Sequence, residues 1–480
     1  MMVRTLLLVG FSLLSLSSCV AEQAVAEQSL SINPDHIAAG TIPSSAGETL
    51  NVVSETGLAG AETPGLQLTL EQCIEVALKN NPQVIGAGWD VSAAKAEEAI
   101  AAGQRWPILG LEGSYRHFLD DQRLVMPRYA NEPGVYGDEI LAGDVVLRMP
   151  IFTGGRIRNE IKAADLLRQS AEHHLARTRQ ELVFNVSQVF YDILAQAHIV
   201  ESLAFSRKVM EEHHKRVGNL VNVQKAARVD LLRTDVRLAD INQRLVAEKN
   251  VLSILRRVLV NFLGLSGTES EVDVEGPLQL ETVDANLPQS VAEAYARRSD
   301  YLAAKKDVGA QAMRLDTARA GRWPIVSVEG TYGLRNSTGP TSRPAGTDDT
   351  EDVGFIGVGA IIPIFEGGRI SARVVREHAK LISLRERLRK LKLQIKLDVE
   401  TAILSINSSG ARVDATEKSI EQAKESLRIE REKYELGKGS ITNVLDAQAA
   451  LLDAQTTYYH ALADYNSAVA QWRLSIGEER

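Results

Sequence analysis

The sequence predicts an α+β membrane protein built as two tandem structural repeats, with four β-strands per chain and long coiled-coil helices. Three observations predict it. Distinctive motifs recur once, at a nearly fixed offset along the chain. Segments beside those motifs alternate apolar and polar residues with the period of a strand. Two proline-free runs of about sixty residues carry apolar seams at spacings of three and four.

The composition suits helices. Of 480 residues only 5% are aromatic and 14 are proline, so a thick globular core is not expected. A net charge of −8 offers no basic footprint for nucleic acid. No stretch reaches the roughly 18 apolar residues of a membrane-spanning helix, so any crossing must be made by strands.

The N-terminus reads as a targeting segment. Arg4 precedes a short apolar run from Leu6 to Leu16, giving a signal peptide over residues 1–18. Leu16-Ser17-Ser18-Cys19 resembles a lipobox, in which the Cys19 thiol takes a covalent lipid and becomes the mature N-terminus. Val20 follows, which favours the outer membrane over inner-membrane retention. Residues 19–66, without periodicity, are expected to form a lipid-anchored arm or linker. Cys73, the second thiol, sits among apolar helical residues and reads as a small buried hydrophobe.

The repeats are expected over residues 67–277 and 278–480. Arg105-Trp106-Pro107 recurs as Arg322-Trp323-Pro324 at an offset of 217. Pro150-Ile-Phe-Thr-Gly154-Gly155-Arg-Ile recurs as Pro363-Ile-Phe-Glu-Gly367-Gly368-Arg-Ile at 213, with seven of eight residues identical. The four lost residues therefore fall between the motifs, in a loop.

Each repeat opens with a helix; the first runs from Leu70 to about Gln104, with Thr69 as N-cap and Gln72 three residues on. Pro107 and Pro324 end these helices, because the residue before proline avoids the α region. Strands follow at about 107–118 and 143–152, and at about 324–335 and 353–365. Leu109, Leu111, Gly113 and Tyr115 oppose Gly110, Glu112, Ser114 and Arg116. Val326, Val328, Gly330 and Tyr332 oppose Ser327, Glu329 and Thr331, while Val145, Leu147 and Met149 oppose Asp144, Val146 and Arg148. One apolar and one charged face suit a wall between lipid and a watery lumen, with Glu112, Arg116, Arg148 and Glu329 inside. Trp106, Trp323, Phe152 and Phe365 at the strand ends resemble an interfacial aromatic girdle. The fourth strand alternates poorly, since Ile361 breaks its polar face.

At the junctions, proline removes a ladder donor, so pairing is expected to end at Pro150 and Pro363. The Gly154-Gly155 and Gly367-Gly368 pairs then permit a sharp turn into a helix. Long helices are expected over 156–217 and 369–435, followed by helices over 229–263 and 443–476. Some 60 residues at 1.5 Å each make a rod of roughly 90–100 Å, too long for a compact domain.

Four strands cannot close a barrel, and lipid forbids open edges, so copies of the chain must pool strands. Two copies give eight strands with a filled interior; three give twelve, with room for an aqueous channel.

Together with the segment Tyr434-Glu-Leu-Gly-Lys-Gly-Ser-Ile-Thr-Asn-Val-Leu-Asp-Ala-Gln, the repeat and its junctions resemble the TolC family of outer-membrane efflux proteins, over about residues 66–477. The resemblance implies a homotrimer, with a 12-stranded barrel and an α-barrel tunnel of long periplasmic helices. It implies partners too: a periplasmic adaptor and an inner-membrane transporter, of the resistance-nodulation-division or ABC kind. The implied function is an outer-membrane channel in a tripartite export system, in contact with outer-membrane lipid.

The resemblance also carries a gate at the helix tips. The second-repeat turn is Gly437, with Asn443 and Asp446 beyond it; Tyr434 matches a latch tyrosine and Asp230 its first-repeat acidic partner. Gly439 stands where some members place a latch arginine, Asn443 replaces one entrance acid, and Gln224 replaces the usual glycine of the first turn.

Other features weigh less. His173-His174 and His213-His214 read as solvated helix surface, since adjacent helical residues diverge by about 100° and no ligand set accompanies them. No nucleophile elbow, phosphate-binding glycine loop or zinc signature occurs, so neither an enzyme nor a cofactor or metal is expected. Two alternatives stay open: the duct of an ABC-type protein secretion system, and a lipid-anchored structural coiled coil. The alternating strands argue against the second.

Overall fold

The computed structural model describes residues 66–265, 272–281 and 283–478. Cys19, the signal peptide and the arm lie outside the described residues.

The first repeat runs β1 (Leu66–Leu68), α1 (Leu70–Asn80), α2 (Pro82–Gly103), β2 (Ile108–Arg123), β3 (Tyr136–Phe152), α3 (Arg156–Asn222) and α4 (Arg228–Phe262). The second runs β4 (Val272–Val274), α5 (Leu287–Arg297), α6 (Ser299–Ala320), β5 (Ile325–Ser337), β6 (Thr350–Ile361), α7 (Arg369–Glu435) and α8 (Ile441–Ile476).

The opening helix is two helices, not one over Leu70 to Gln104. Asn81 ends α1 in an extended conformation and caps α2, its side chain accepting from the Gln83 N–H at 2.9 Å, with Pro82 in the first turn. Proline at that position needs no N–H partner, so the break costs no hydrogen bond. Arg298 makes the matching break between α5 and α6. The Thr69–Gln72 capping box is present as read. A further element escaped the sequence reading: β1 and β4, three residues each, pair in parallel and join the two repeats.

The main sheet is antiparallel, in the order β2-β3-β5-β6, so the repeats meet at β3–β5 while β2 and β6 form open edges. β2, β3 and β5 are longer than the alternation suggested, at 16, 17 and 13 residues, while β6 has 12 and starts earlier than expected. Pairing does not stop at Pro150. That residue still faces Ser327, and β3 reaches Phe152 through a register shift. The ladder to β2 has already ended at Arg148, so β3 is an edge there and tolerates a missing donor. In the second repeat pairing ends at Ile361, before Pro363 and short of residue 365.

Gly154, Gly155, Gly367 and Gly368 all have positive φ, from 58° to 85°, and Gly155 and Gly368 precede the long helices. An L side chain is disfavoured there, which accounts for the paired glycines. Each long helix has 67 residues, about 100 Å at 1.5 Å per residue. Next to the sheet the helices lie side by side as α2, α3, α6, α7; farther away the order is α4, α3, α8, α7. Packing is a chain of thin seams. The largest joins α1, β1 and β4 to the middle of α3 and the end of α4, around Cys73, Val186 and Ile193. Cys73 is fully buried, and burial pushes its thiol up to about 11.

Candidate functional site

The sheet separates two chemistries. Leu109, Leu111, Tyr115, Leu141, Tyr332, Ile356 and Val358 are exposed, Leu111 at 85%. Register places Leu111 opposite Val145, Val145 opposite Tyr332 and Tyr332 opposite Gly354, so these side chains share one face. An apolar face of this extent seeks lipid or protein.

The other face carries ion pairs. Arg148 meets Glu112 at 2.9 Å and stands opposite Glu329. Arg335 donates to Asp144 at 2.7 Å across β5 and β3. Arg116 lies a turn of the pleat away, opposite Ile140, outside this cluster. Arg335 was missed in the sequence, although it continues the odd-numbered polar row of Ser327, Glu329 and Thr331. A side chain at Gly333, between these rows, would meet the Gly143 carbonyl at 2.1 Å and Asp144 Oδ1 at 2.4 Å. Glycine there lets the acid and Arg335 close up.

The junctions interlock. A Cβ on Gly154 would lie 2.4 Å from Trp323 Cβ and 3.0 Å from the Ala320 carbonyl, so the bare glycine seats the second repeat's Trp323-Pro324 step. The matching Gly367 has nothing within 4 Å, so within the protomer Trp106 has no such seat, although the two tryptophans are similarly exposed, at 65% and 60%. Pro107 follows Trp106 at the head of β2, while Pro363 precedes Gly367 beyond β6. Those two halves of the same joint lie at opposite edges of the protomer.

At the far end, the α3–α4 and α7–α8 turns share one construction. Lys225 N–H reaches the Leu220 carbonyl at 2.8 Å, and Lys438 N–H the Lys433 carbonyl at 2.8 Å. These wide bonds close helix ends around one left-handed residue, Gln224 in the first turn and Gly437 in the second. Below them Met210, Val217, Ile241, Leu427, Ile441 and Val444 make a small apolar core.

The predicted gate residues are dispersed over this tip. Tyr434 is half-buried against the core, its ring 5.8 Å from that of His213. Burial, then the nearby Asp230 charge, pushes its hydroxyl above the usual range. No hydrogen bond joins Tyr434 to Asp230 in the protomer, although the resemblance pairs them as latch partners. Asp230 sits in the first turn of α4, 3.9 Å from Arg233. Asn443 donates to Glu430 at 3.2 Å. Asp446 is exposed, in a cleft between α4 and α8 that also holds Arg233, Arg237 and Arg244. His213 is not solvated helix surface. Its Nε2 is buried without a partner, and burial, with Arg216 and Arg431 adding to it, lowers its basicity. Nothing near His213 in the chain signals this, because the α7 face that covers it lies more than two hundred residues on.

Among known protein families, the one described as "Outer membrane efflux protein" matches residues 73–265 and 290–478. The chain is 23% identical over 311 residues to the outer membrane efflux protein BepC of Brucella suis, covering 63% of this chain and 65% of that protein, a little under two thirds of its length. It is 21% identical to the outer membrane protein TolC of Escherichia coli, over 84% of this chain and 80% of that one. The fold matches the crystal structure of the Campylobacter jejuni CmeC outer membrane channel with a TM-score of 0.74, 16% identity and 85% of both chains covered.

Proposed function

The chain belongs to the outer membrane efflux protein family, and from that membership we propose that three copies close one export duct, whose sheet crosses the outer membrane and whose helices continue the passage through the periplasm. It is a channel component and not an enzyme. The single observation that carries the proposal is the sheet: four strands with an apolar face, an ion-paired face, and unpaired edges at β2 and β6. Lipid tolerates no open edge, so the edges must pair with those of other copies, and twelve strands leave room for water.

The split joint supports the same assembly. Gly367 on one copy would seat Trp106 of the next, as Gly154 seats Trp323 within the chain. Glu112, Arg148 and Glu329, with Arg116, then line the lumen, and the tip with Asp230, Tyr434, Gly437, Asn443 and Asp446 forms the entrance. A periplasmic adaptor and an inner-membrane transporter would deliver substrate there. Cys19 would carry the lipid that anchors the arm.

Native mass measurement in mild detergent is expected to give three chains, and planar-bilayer recording an aqueous conductance. A stable monomer without conductance would refute the reading. Labelled fatty acid should enter the wild-type chain and not Cys19→Ala; equal labelling of both would remove the anchor from the proposal.

A further inference from the structure

The internal repeat supplies a control for reading its own divergence. Just below the sheet, α2 and α3 enclose a cleft, and α6 and α7 enclose its repeat-related counterpart; Arg314 and Thr317 of α6 stand between the two and line both, and Arg156 and Glu160 of α3 border the second. The two sets of lining positions correspond at the same 217 and 213 offsets as the sequence motifs. Glu97 becomes Arg314, Ile100 becomes Thr317, and Glu160 becomes Arg373; Ala163 becomes Arg376, Ala164 becomes Glu377, and Leu167 becomes Lys380. The helices therefore pack with or without the charges, so packing does not call for them.

The second cleft, of about 500 Å³, holds a surplus of positive charge. Glu377, 6% exposed at its floor, accepts from Gln311 at 2.8 Å and pairs with Arg376 at 2.6 Å and Lys380 at 3.3 Å. Arg156 at the rim is taken up by Glu160 at 3.3 Å. Arg314 and Arg373 have no anionic partner among the described residues. The Thr317 hydroxyl is buried without a hydrogen-bond partner.

We propose that the α6–α7 cleft binds a phosphate group, with Arg314 and Arg373 as its forked donors and the Thr317 hydroxyl as a third. Guanidinium groups match the paired oxygens of phosphate, which a chloride ion cannot offer. Arg373 lies five residues past Gly368, roughly 7–8 Å below the strand-to-helix joint. If the sheet spans the membrane as proposed above, that is the depth of lipid headgroups, where basic pockets between helices hold anionic lipids. The phosphate then comes either from a headgroup or from solution, and the chemistry of capture is the same.

The full-length protein in an uncharged detergent is titrated calorimetrically with inorganic phosphate, and separately with mixed micelles containing phosphatidylglycerol. Saturable binding of at least one is expected, weakened tenfold or more in the Arg314→Gln/Arg373→Gln double variant and unchanged in Arg387→Gln, a solvent-facing control. Arg314→Lys, which keeps charge without the fork, should lose a few-fold. Response to the lipid alone assigns the headgroup; response to free phosphate without lipid preference assigns the soluble ion. No saturable binding of either by the wild-type chain, or equal binding by the double variant, overturns the proposal. Neither outcome depends on trimer formation or conductance, which are measured in the same preparation, so a failed duct and a failed site are told apart.

Discussion

Gln224 and Gly437 occupy equivalent places in the two repeats and the same left-handed backbone conformation, with φ of 58° and 71°. Only one of them is a glycine. A non-glycine residue at such φ carries about 1–2 kcal/mol of strain, and the wide hydrogen bond of Lys225 holds it there. Gln224→Gly should relieve about 0.5–1 kcal/mol, net of glycine's greater freedom in the unfolded chain. Hydrogen exchange of the amides around the first turn should slow by two- to fivefold, with the second turn unaffected.

The strand faces make opposite predictions. Leu111→Arg or Val328→Arg should destabilise the assembled barrel by roughly 2–4 kcal/mol if the site lies near the bilayer midplane, read as a lower melting temperature of the trimer in detergent. Glu112→Gln removes one side of the Arg148 pair and should leave assembly intact while shifting ion preference toward anions. If Glu112→Gln blocks assembly and Leu111→Arg does not, the faces are assigned backwards.

Gly154 and Gly367 have similar φ, 61° and 58°, so a side chain strains the backbone equally at both. What differs is the neighbour. Gly154→Leu collides with Trp323 inside the protomer and should lower folded yield. Gly367→Leu meets open space in the protomer and should fold, yet run as monomer on native mass measurement because the next copy's Trp106 cannot seat.

Tip electrostatics should be graded rather than all-or-none. Asp446→Asn is expected to reduce cation selectivity modestly, since three arginines line the same cleft. Tyr434→Phe should change resting conductance less than twofold, because the hydroxyl makes no bond to Asp230 that could be lost. A several-fold rise in conductance from Tyr434→Phe would show that assembly creates a bond the protomer lacks.

His213 gives the tip a pH dependence whose sign follows from its burial. The folded-state pKa lies below the usual 6.5, so the unfolded state binds more protons as pH falls through that value. Stability of the tip is then full above about pH 6.5 and declines below it. Protection of the α3 and α7 ends from hydrogen exchange should fall between pH 7.5 and 5.5 in the wild type and stay level in His213→Phe.

How much of this was legible varies with the physics behind each signal. Strand faces could be read because a sheet with one apolar and one charged face imposes period two, as in Leu109 through Arg116. The glycine turns could be read because the same motif stands twice. The break at Asn81-Pro82 was written plainly, with an amide cap followed by proline, yet the apolar periodicity on both sides masked it. Pro150 misled, because whether proline stops a strand depends on which neighbour is still paired, and register is not local. Arg335 was within reach as a later position of the β5 polar row, whereas His213 and the α6–α7 cleft were not, since their surroundings are brought together only by the fold.

The open edges of the four-stranded sheet have a consequence for the life of a single chain before it finds its fellows. A folded but solitary copy carries two unsatisfied rows of backbone donors and acceptors and a greasy wall, each an invitation to the wrong neighbour. Its passage to the membrane is therefore a race between productive capture and clumping. The productive step needs copies to meet, so it quickens with concentration, but so does the unproductive one. In the proposed trimer what would separate them is selectivity: the seat at Gly367 would admit a partner only where a Trp106 arrives in matching register. The small joint at the edge would then act as a proofreader of assembly, and weakening it should show first as insoluble protein during synthesis, ahead of any change in the finished channel.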